Sequence, residues 1–241
     1  MLNKTNGIVL HTIKYGETSV IARVYTQLFG LQSYLIKGAR NRKGGNKMSL
    51  LSPLTMLDME VYRKETAQLH HIKEMRIAYP FSSLPFDVIK SSIALFINEV
   101  IFRSVREEEP NPPLYSFLES SIRWFDLVPN HYSDFHLWFM LHFCSYLGFT
   151  PQDNYSSSKT IFNLQEGLFQ SHLPDHADYL SDPLSSKLFL LSASTLSDLS
   201  TLQLTAQIRH ELLPRLVDFY RFHIQGMKDI NSLEVLREVF S

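Results

Sequence analysis

Cysteine is nearly absent from this chain of 241 residues, since Cys144 is the only one. A single cysteine excludes an internal disulfide and a four-cysteine zinc site, and it is typical of the reducing cytosol. Long apolar runs are also absent. The most apolar stretch, 93–102, is interrupted by Asn98 and Glu99 and is too short to span a bilayer, and residues 1–7 lack an apolar signal core. We therefore expect a soluble protein with cytoplasmic localisation and no membrane partner.

The sequence motifs of common catalytic sites are missing as well. The chain has no His-Glu-x-x-His motif, no Gly-x4-Gly-Lys-Ser/Thr phosphate loop and no Gly-x-Ser-x-Gly nucleophile elbow. His172 and His176 have the spacing of metal ligands on a helix, but Pro174 between them argues against a helix there. We therefore expect no enzyme activity, no metal site and no cofactor.

Acidic residues are missing from the stretch 31–47, where an alternating apolar strand runs into a glycine-containing loop. Five of its last eleven residues are basic, namely Lys37, Arg40, Arg42, Lys43 and Lys47. Like charges repel and glycines favour an open backbone, so this loop cannot bury itself. We interpret it as an anion-binding loop. The alternative is a solvated hairpin tip with no binding role.

The net charge of −1 hides an uneven distribution of charge along the chain. Residues 1–76 carry 12 Lys and Arg against 5 Asp and Glu, which gives +7, and residues 77–241 carry −8. A basic N-terminal part joined to an acidic C-terminal part predicts two domains with different partners, and the basic part suits a polyanion. The alternative is that the charges separate by chance.

Five short strands bounded by turn residues are predicted in the N-terminal part. They cover residues 7–15, 19–26, 31–36, 53–62 and 69–78. Strands at a spacing of roughly ten residues are typical of a small barrel, and a five-stranded barrel of the oligonucleotide-binding (OB) type is the simplest choice. Barrels of this type hold single strands in a basic groove, with aromatic rings available for base stacking.

The more polar faces of the second and third predicted strands offer candidates for such a groove. They are Arg23, Tyr25 and Tyr34. For the two tyrosines the alternative is ordinary packing with the hydroxyl at the surface. Arg63 and Lys64, at the end of the fourth strand, would add positive charge to the groove if they lie on the same surface as the basic loop.

From residue 79 onwards the apolar pattern takes the period of helices. Helices are predicted over about 85–106, 112–127, 133–147, 186–196, 205–223 and 232–240. The third is apolar nearly all round, which is typical of the central helix of a bundle. We therefore predict an α+β protein: an N-terminal five-stranded OB-fold barrel (1–78) followed by a mostly α-helical C-terminal domain (79–241), with a short β-hairpin in an irregular insertion (152–183).

Several short motifs follow one another along the chain in the order that one known family shows. They are Gly7-Ile8-Val9-Leu10, Tyr15-Gly16-Glu17-Thr18-Ser19, Phe29-Gly30-Leu31, Lys37-Gly38-Ala39-Arg40, Pro53-Leu54, Leu147-Gly148-Phe149-Thr150-Pro151 and Ser232-Leu233-Glu234-Val235-Leu236. Their order and spacing over essentially the whole chain resemble RecO, the bacterial recombination mediator. Many members of that family bind zinc through two Cys-x-x-Cys pairs in the insertion, but here no cysteine follows Pro151. We therefore expect hydrogen bonds and packing to hold the insertion instead.

The resemblance implies binding of single- and double-stranded DNA and annealing of complementary strands. It also implies RecR, the C-terminal tail of the single-stranded-DNA-binding protein and, indirectly, RecA as partners in nucleoid-associated DNA repair. The predicted DNA-binding residues are Arg23, Tyr34, Lys37, Arg40, Arg42, Lys43, Lys47 and Arg63. Two rival hypotheses stay open: a protein-interaction scaffold whose barrel is only structural, and an RNA-binding factor that uses the same barrel.

Overall fold

The alternating apolar pattern of the N-terminal part forms five strands. A computed structural model describes residues 1–41, 45–64, 66–202 and 204–239. The strands are β1 (Leu2–Tyr15), β2 (Ser19–Thr26), β3 (Gly30–Ile36), β4 (Met56–Tyr62) and β5 (His70–Tyr79). They close into a barrel in the order β1-β2-β3-β5-β4, with β3 and β5 parallel and the other neighbours antiparallel. The predicted five-stranded barrel is confirmed.

The interior of the barrel is filled by alternate residues of its strands. Val20, Ala22 and Val24 of β2 all face inward, and they belong to one buried cluster with Leu57 and Met59 of β4. Burying a valine, leucine or methionine side chain stabilises the fold by about 1.5–3 kcal/mol. A one-residue slip would turn this face outward, so the alternation fixes the register of the strands.

The described part of the first compact unit, Met1–Asp126, also contains helices. They are α1 (Gly45–Ser49), α2 (Val88–Ser104) and α3 (Pro112–Leu127), the last ending at the boundary of the unit. The carboxylate of Asp87 caps α2 by accepting the N–H groups of Ile89 and Lys90. Asn98 in α2 donates a hydrogen bond of 2.8 Å to the carbonyl oxygen of Leu10, which ties the helix to β1. The domain boundary predicted between residues 78 and 79 stays a prediction.

The carboxylate of Asp126, at the end of α3, organises the connection between β5 and α2. It accepts the backbone N–H groups of Ser82, Ser83 and Leu84 at distances between 2.8 and 3.1 Å. Lys90 of α2 is almost fully buried, and its Nζ donates to the backbone carbonyl oxygen of Asp126 at 2.9 Å. The phenol of Tyr79 in β5 also donates to this carboxylate at 3.2 Å, so the network joins the barrel to both helices.

The second compact unit, Leu127–Ser241, is mostly helical, as predicted. Its described helices are α4 (Phe135–Leu147), α5 (Leu184–Ala193), α6 (Leu199–Leu202), α7 (Ala206–His223) and α8 (Ser232–Val239). α4 is buried on nearly every side and packs against α5 and α7, which confirms its predicted central position. Gly148 ends α4 in the left-handed conformation, with φ of 85°, which glycine adopts without strain.

The insertion forms a three-stranded sheet. Its strands are β6 (Ile161–Asn163), β7 (Leu168–Gln170) and β8 (Tyr179–Leu180), in the order β7-β6-β8. The β6–β7 hairpin is the predicted one, and β8 is an additional strand. Asn154 exchanges two hydrogen bonds of 2.9 Å with the backbone of Phe169, and Arg215 donates to the carbonyl oxygens of Ala177 and Tyr179. Hydrogen bonds therefore hold the insertion, as expected for a chain without the zinc ligands.

Candidate nucleic-acid interface

The strands β1, β2 and β3 present a continuous outer face of the barrel. Residues paired across neighbouring strands share a face, so the outward side chains form rows that cross the strands. Three such rows are Ile8–Tyr25–Leu31, His11–Arg23–Ser33 and Ile13–Ile21–Leu35. Tyr15 and Lys37 follow at the end of the face that carries the β1–β2 turn.

The row that contains Tyr25 is covered by the chain that follows the barrel. The ring of Tyr25 stacks on that of Tyr115 in α3, with the ring centroids 6.4 Å apart. The N–H of Leu31 donates a hydrogen bond of 2.9 Å to the carbonyl oxygen of Glu107, between α2 and α3. Tyr25 is only 1% exposed. The expectation that it lines a groove is therefore corrected, because α3 occupies the surface in front of it.

The rows nearer the β1–β2 turn remain accessible to solvent. Ile13 and Tyr15 of β1 are each about half exposed, and Ile21 and Leu35 are partly exposed beside them. The outer face of an antiparallel sheet is commonly polar when it faces water. Apolar side chains grouped on such a face are a candidate contact surface for another molecule. We call the part of the face that carries these four residues its open half.

Arg23 lies at the border between the covered and the open halves, on the outer side of β2, as predicted. Its Nη1 donates a hydrogen bond of 3.0 Å to the Ser33 hydroxyl. Beside it, the ring of His11 stacks on Phe102 of α2, with centroids 4.5 Å apart. Burial, together with the positive charges of Arg103 and Arg23, lowers the pKa of His11 and so favours its neutral imidazole. The positive charge of this row therefore comes from Arg23.

Lys37 and Arg40 are exposed at the beginning of the basic loop. Between them, Ala39 is fully buried in the barrel core and fixes the position of the loop. Arg40 is held on the β1–β2 turn, because its backbone N–H donates to the carbonyl oxygen of Thr18 at 3.0 Å and its guanidinium donates to that of Glu17 at 3.2 Å. The structure thus brings two of the predicted cations to the open half of the face.

Lys47 lies on α1, a short helix that the sequence did not predict. Its exposed side chain lines a surface cavity of about 310 Å³ together with apolar residues that include Ile36, Leu50 and Ile72. Ile36 is the last residue of β3 and precedes Lys37, so this cavity adjoins the beginning of the loop. The predicted residues Arg42 and Lys43 lie outside the described part of the chain.

Arg63 is separate from the other predicted cations. Its guanidinium carbon lies 4.7 Å from the centre of the Phe29 ring, in the turn between β2 and β3. Arg40 contacts the turn at the other end of β2, and an eight-residue strand is roughly 25 Å long. The structure therefore does not place Arg63 on the same surface as the basic loop.

Tyr34 lies inside the barrel rather than in a groove. Its side chain is 0% exposed and belongs to the core cluster, and burial raises the pKa of its phenol. Tyr34 pairs with Ala22, which also faces inward. The expectation of a groove position is corrected, because the face of β3 that carries Tyr34 and Ile36 is the inward one. A base can stack on Tyr34 only if the barrel opens.

The cations of the open half differ from those on β4, β5 and the beginning of β1. On β1, β4 and β5, Lys4 and Lys73 both pair with Glu60, at 3.3 and 2.9 Å, and Arg76 pairs with Asp58 at 2.6 Å. Among the described residues, no carboxylate lies within ion-pair distance of the exposed cations near the turn. Those cations are Lys14, Lys37, Arg40 and Lys47. Positive charge without a partner carboxylate is therefore concentrated where the apolar rows are open.

Tyr15 and Ile13 are members of this surface that the sequence-based prediction missed. Both lie in the first predicted strand, on the same side as His11 beyond the bulge. The signal that could have identified them is the two-residue alternation His11-x-Ile13-x-Tyr15, which places an aromatic ring beside the turn.

Metal binding and membrane insertion find no support in the described ranges. No three His, Cys, Asp or Glu side chains there are grouped to hold a metal ion. The insertion, which has no cysteine, therefore does not fit the zinc site that the sequence resemblance implies for many family members. Of the helices in those same ranges, none combines the length and the apolar character that crossing a membrane requires.

Comparison with known proteins gives matches over nearly the whole chain. The family model for the N terminal part of recombination protein O matches residues 1–81, and that for its C terminal part matches residues 85–233. The DNA repair protein RecO of Phocaeicola vulgatus is 37% identical over 241 residues, covering 100% of both chains. The protein of the same name from Flavobacterium psychrophilum is 39% identical over 246 residues and 99% of both chains. That from Bacteroides fragilis is 34% identical over 242 residues and 100% of both chains.

Proposed function

The chain belongs to the RecO family of DNA repair and recombination proteins, and on this premise we propose its activities. It binds single- and double-stranded DNA, anneals complementary strands and, with RecR, helps to load RecA onto DNA coated with the single-stranded-DNA-binding protein. The family is a non-enzymatic recombination mediator, so the chain is not an enzyme. The observation that carries the proposal is the position of Lys37 and Arg40, without carboxylate partners among the described residues, beside the open half of the face.

Annealing requires no covalent step. Two negatively charged strands must be held close together while their repulsion is screened. A lysine or arginine that contacts a phosphate releases condensed counterions, and this release favours binding at low salt. Lys37, Arg40 and Lys47 are exposed and can contact phosphates of a single strand or a duplex. Phosphate contacts carry no sequence information, so we expect weak sequence preference.

The proposed DNA-binding set follows from these positions. It keeps the cations of the basic loop together with the arginine at the border of the open half, namely Arg23, Lys37, Arg40, Arg42, Lys43 and Lys47. Arg63 would contact DNA only at the far end of β2, and Tyr34 is left out because it is buried.

The proposed protein partners come from the family. They are RecR, the acidic C-terminal tail of the single-stranded-DNA-binding protein and, indirectly, RecA. The relatives named above are bacterial DNA repair proteins, so the proposed place of action is the bacterial chromosome in the cytoplasm.

A strand-annealing assay tests the proposal. Two complementary oligonucleotides, one carrying a fluorophore and one a quencher, are mixed with the protein at low salt. We expect the wild type to accelerate annealing and the double variant Lys37→Ala/Arg40→Ala to lose most of this effect. The matched control is Lys4→Ala/Lys73→Ala, which removes the same charge from cations that are paired with Glu60.

The outcomes separate the proposed function from its rivals. Equal loss in both double variants would mean that net charge matters rather than this surface. If the wild type binds no nucleic acid, the barrel is only structural and the scaffold hypothesis is favoured. If RNA of the same sequence binds more tightly than DNA, the chain is an RNA-binding factor.

A further inference from the structure

One outward row of side chains extends beyond the three-stranded face. Ile13 pairs with Ile21, Ile21 with Leu35, Leu35 with His71 across the parallel pair, and His71 with Tyr62. Side chains of paired residues point to the same side of a sheet. The row therefore crosses all five strands on the outside of the barrel, from β1 to β4. We call these five residues the girdle row.

Four of the five girdle residues are apolar or aromatic, with the exposed His71 between Leu35 and Tyr62, and the row is exposed at both ends. Ile13 is 49% exposed and Tyr62 is 50% exposed, and Tyr15, two residues beyond Ile13 on the same side of β1, is 51% exposed. Neighbouring strands are about 4.8 Å apart, so Ile13 and Tyr62 are separated by roughly 19 Å along the surface. This length suits a few nucleotides of an extended single strand, with an aromatic ring at each end.

Positive charge flanks the row at both ends. Lys37 and Arg40 lie at the Tyr15 end, and Lys64 is exposed two residues after Tyr62. An anionic chain that carries flat apolar groups is complementary to such a surface. A single-stranded nucleic acid has this chemistry, since its bases stack on aromatic side chains while its phosphates contact cations. In a duplex the bases are paired and stacked on each other, so only its phosphates remain available.

We propose that the girdle row, together with Tyr15, is a track for unpaired bases that makes the protein distinguish a single strand from a duplex. The proposal rests on the DNA-binding function proposed above and adds a specificity determinant to it. Both forms of DNA contact the cations of the basic loop, and the single strand alone also stacks on Tyr15 and Tyr62. During annealing, newly paired bases lose these stacking contacts, so the product duplex is released from the row.

An acidic peptide with apolar side chains is the alternative occupant. Such a peptide needs a pocket that encloses its apolar groups. The girdle row lies on the convex outside of a closed barrel, which leaves its rings open on one face and encloses nothing. Flat bases match this shape better, and the experiment below includes the peptide.

The test compares the two forms of DNA with the same variants. Fluorescence anisotropy measures the affinity of a labelled oligothymidylate of about 15 nucleotides and of a duplex of equal length. The double variant is Tyr15→Ala/Tyr62→Ala. The matched control is Ile77→Ala/Phe222→Ala, because these side chains are 47% and 44% exposed and lie outside the row. Far-UV circular dichroism confirms that each variant is folded.

We expect the tyrosine variant to bind the single strand at least about fivefold more weakly for each ring removed, since one stacked base contributes about that factor or more. Its affinity for the duplex should stay within about twofold of the wild type. The control variant should bind both the single strand and the duplex within about twofold of the wild type. Unchanged affinity for the single strand, or equal loss for both forms, overturns the track.

Three other outcomes also decide between the track and its alternatives. If the wild type binds neither form, the DNA-binding function itself is wrong. If a labelled peptide of alternating Asp and Phe binds the wild type, and the tyrosine variant loses that peptide but keeps the single strand, the row is a peptide site and the track is overturned. If Lys37→Ala/Arg40→Ala weakens both forms while Tyr15→Ala/Tyr62→Ala weakens only the single strand, the track is supported.

Discussion

Replacing Asp126 with asparagine should destabilise the first unit more than any exposed charge substitution. The side chain accepts three backbone N–H groups and the hydroxyls of Ser82 and Tyr79. An amide at this position keeps one acceptor and turns an N–H₂ group toward N–H donors. It also removes the negative charge that most favours the charged form of the buried Lys90 ammonium.

The magnitude follows from the loss of one partner in a buried charged network, which costs about 3–5 kcal/mol. For a chain of this size each kcal/mol lowers Tm by about 2–4 °C, so we expect Asp126→Asn to lower Tm by roughly 10 °C. The matched control is Asp58→Asn, because Asp58 pairs with an Arg76 that is largely exposed. An exposed pair of this kind contributes about 0–1 kcal/mol.

The effect of Asp126 should also depend on pH. Burial alone would raise the pKa of this carboxyl, but the hydrogen bonds from Ser82, Leu84 and Ser83 hold it below its usual value. A carboxylate with a lowered pKa in the folded state adds stability above its unfolded pKa of about 3.9, and this stability is lost as the pH falls through the folded pKa. The Tm difference between wild type and Asp126→Asn should be complete at pH 7 and shrink below about pH 4. Thermal melts by circular dichroism measure both effects, and a Tm within about 2 °C of the wild type at pH 7 would refute the reasoning.

Three further predictions concern single sites. Burial raises the pKa of Cys144 to about 12, so Ellman's reagent at pH 8 should label its thiol only after denaturation; rapid labelling of the folded protein would contradict this. Asn154→Ala removes both hydrogen bonds to Phe169 and should lower stability by about 1–3 kcal/mol in urea titrations, whereas excess EDTA should leave Tm unchanged because the insertion has no cysteine to ligate zinc. Gly30→Ala should destabilise much more than Gly16→Ala, because both glycines have φ of 62° but only a Cβ at Gly30 would overlap the carbonyl oxygen of Glu107; equal melting temperatures would show that the contact can relax.

The barrel was predictable because its strands alternate. In β2, Val20, Ala22 and Val24 face inward as the two-residue period requires, and the turn residues set the strand ends. The short helix α1 was not predictable from periodicity, since five residues span little more than one helical turn. The strand β8 has only two residues and shows no pattern of its own.

The candidate surface was predicted only in part. The cations of the loop could be identified because the sequence alone shows a basic stretch without acidic residues. Alternation alone could not decide which face of β3 is inside, and this is why Tyr34 was placed in a groove. The burial of Tyr25 depends on α3, about ninety residues later in the chain, and the bulge between Val9 and His11 changes which residues of β1 face outward.

The salt dependence of DNA affinity tests the central claim, that the exposed cations Lys37, Arg40 and Lys47 hold DNA. Anisotropy with a labelled single strand is measured across a salt series for the wild type, for Lys37→Ala/Arg40→Ala/Lys47→Ala and for the control Lys4→Ala/Lys73→Ala/Arg76→Ala. With about six phosphate contacts, log affinity should fall against log salt with a slope of about −4. The loop variant should reduce that slope by about 2, and the control, whose cations are ion-paired, should leave it unchanged. An unchanged slope in the loop variant, or an equal reduction in the control, would contradict the claim.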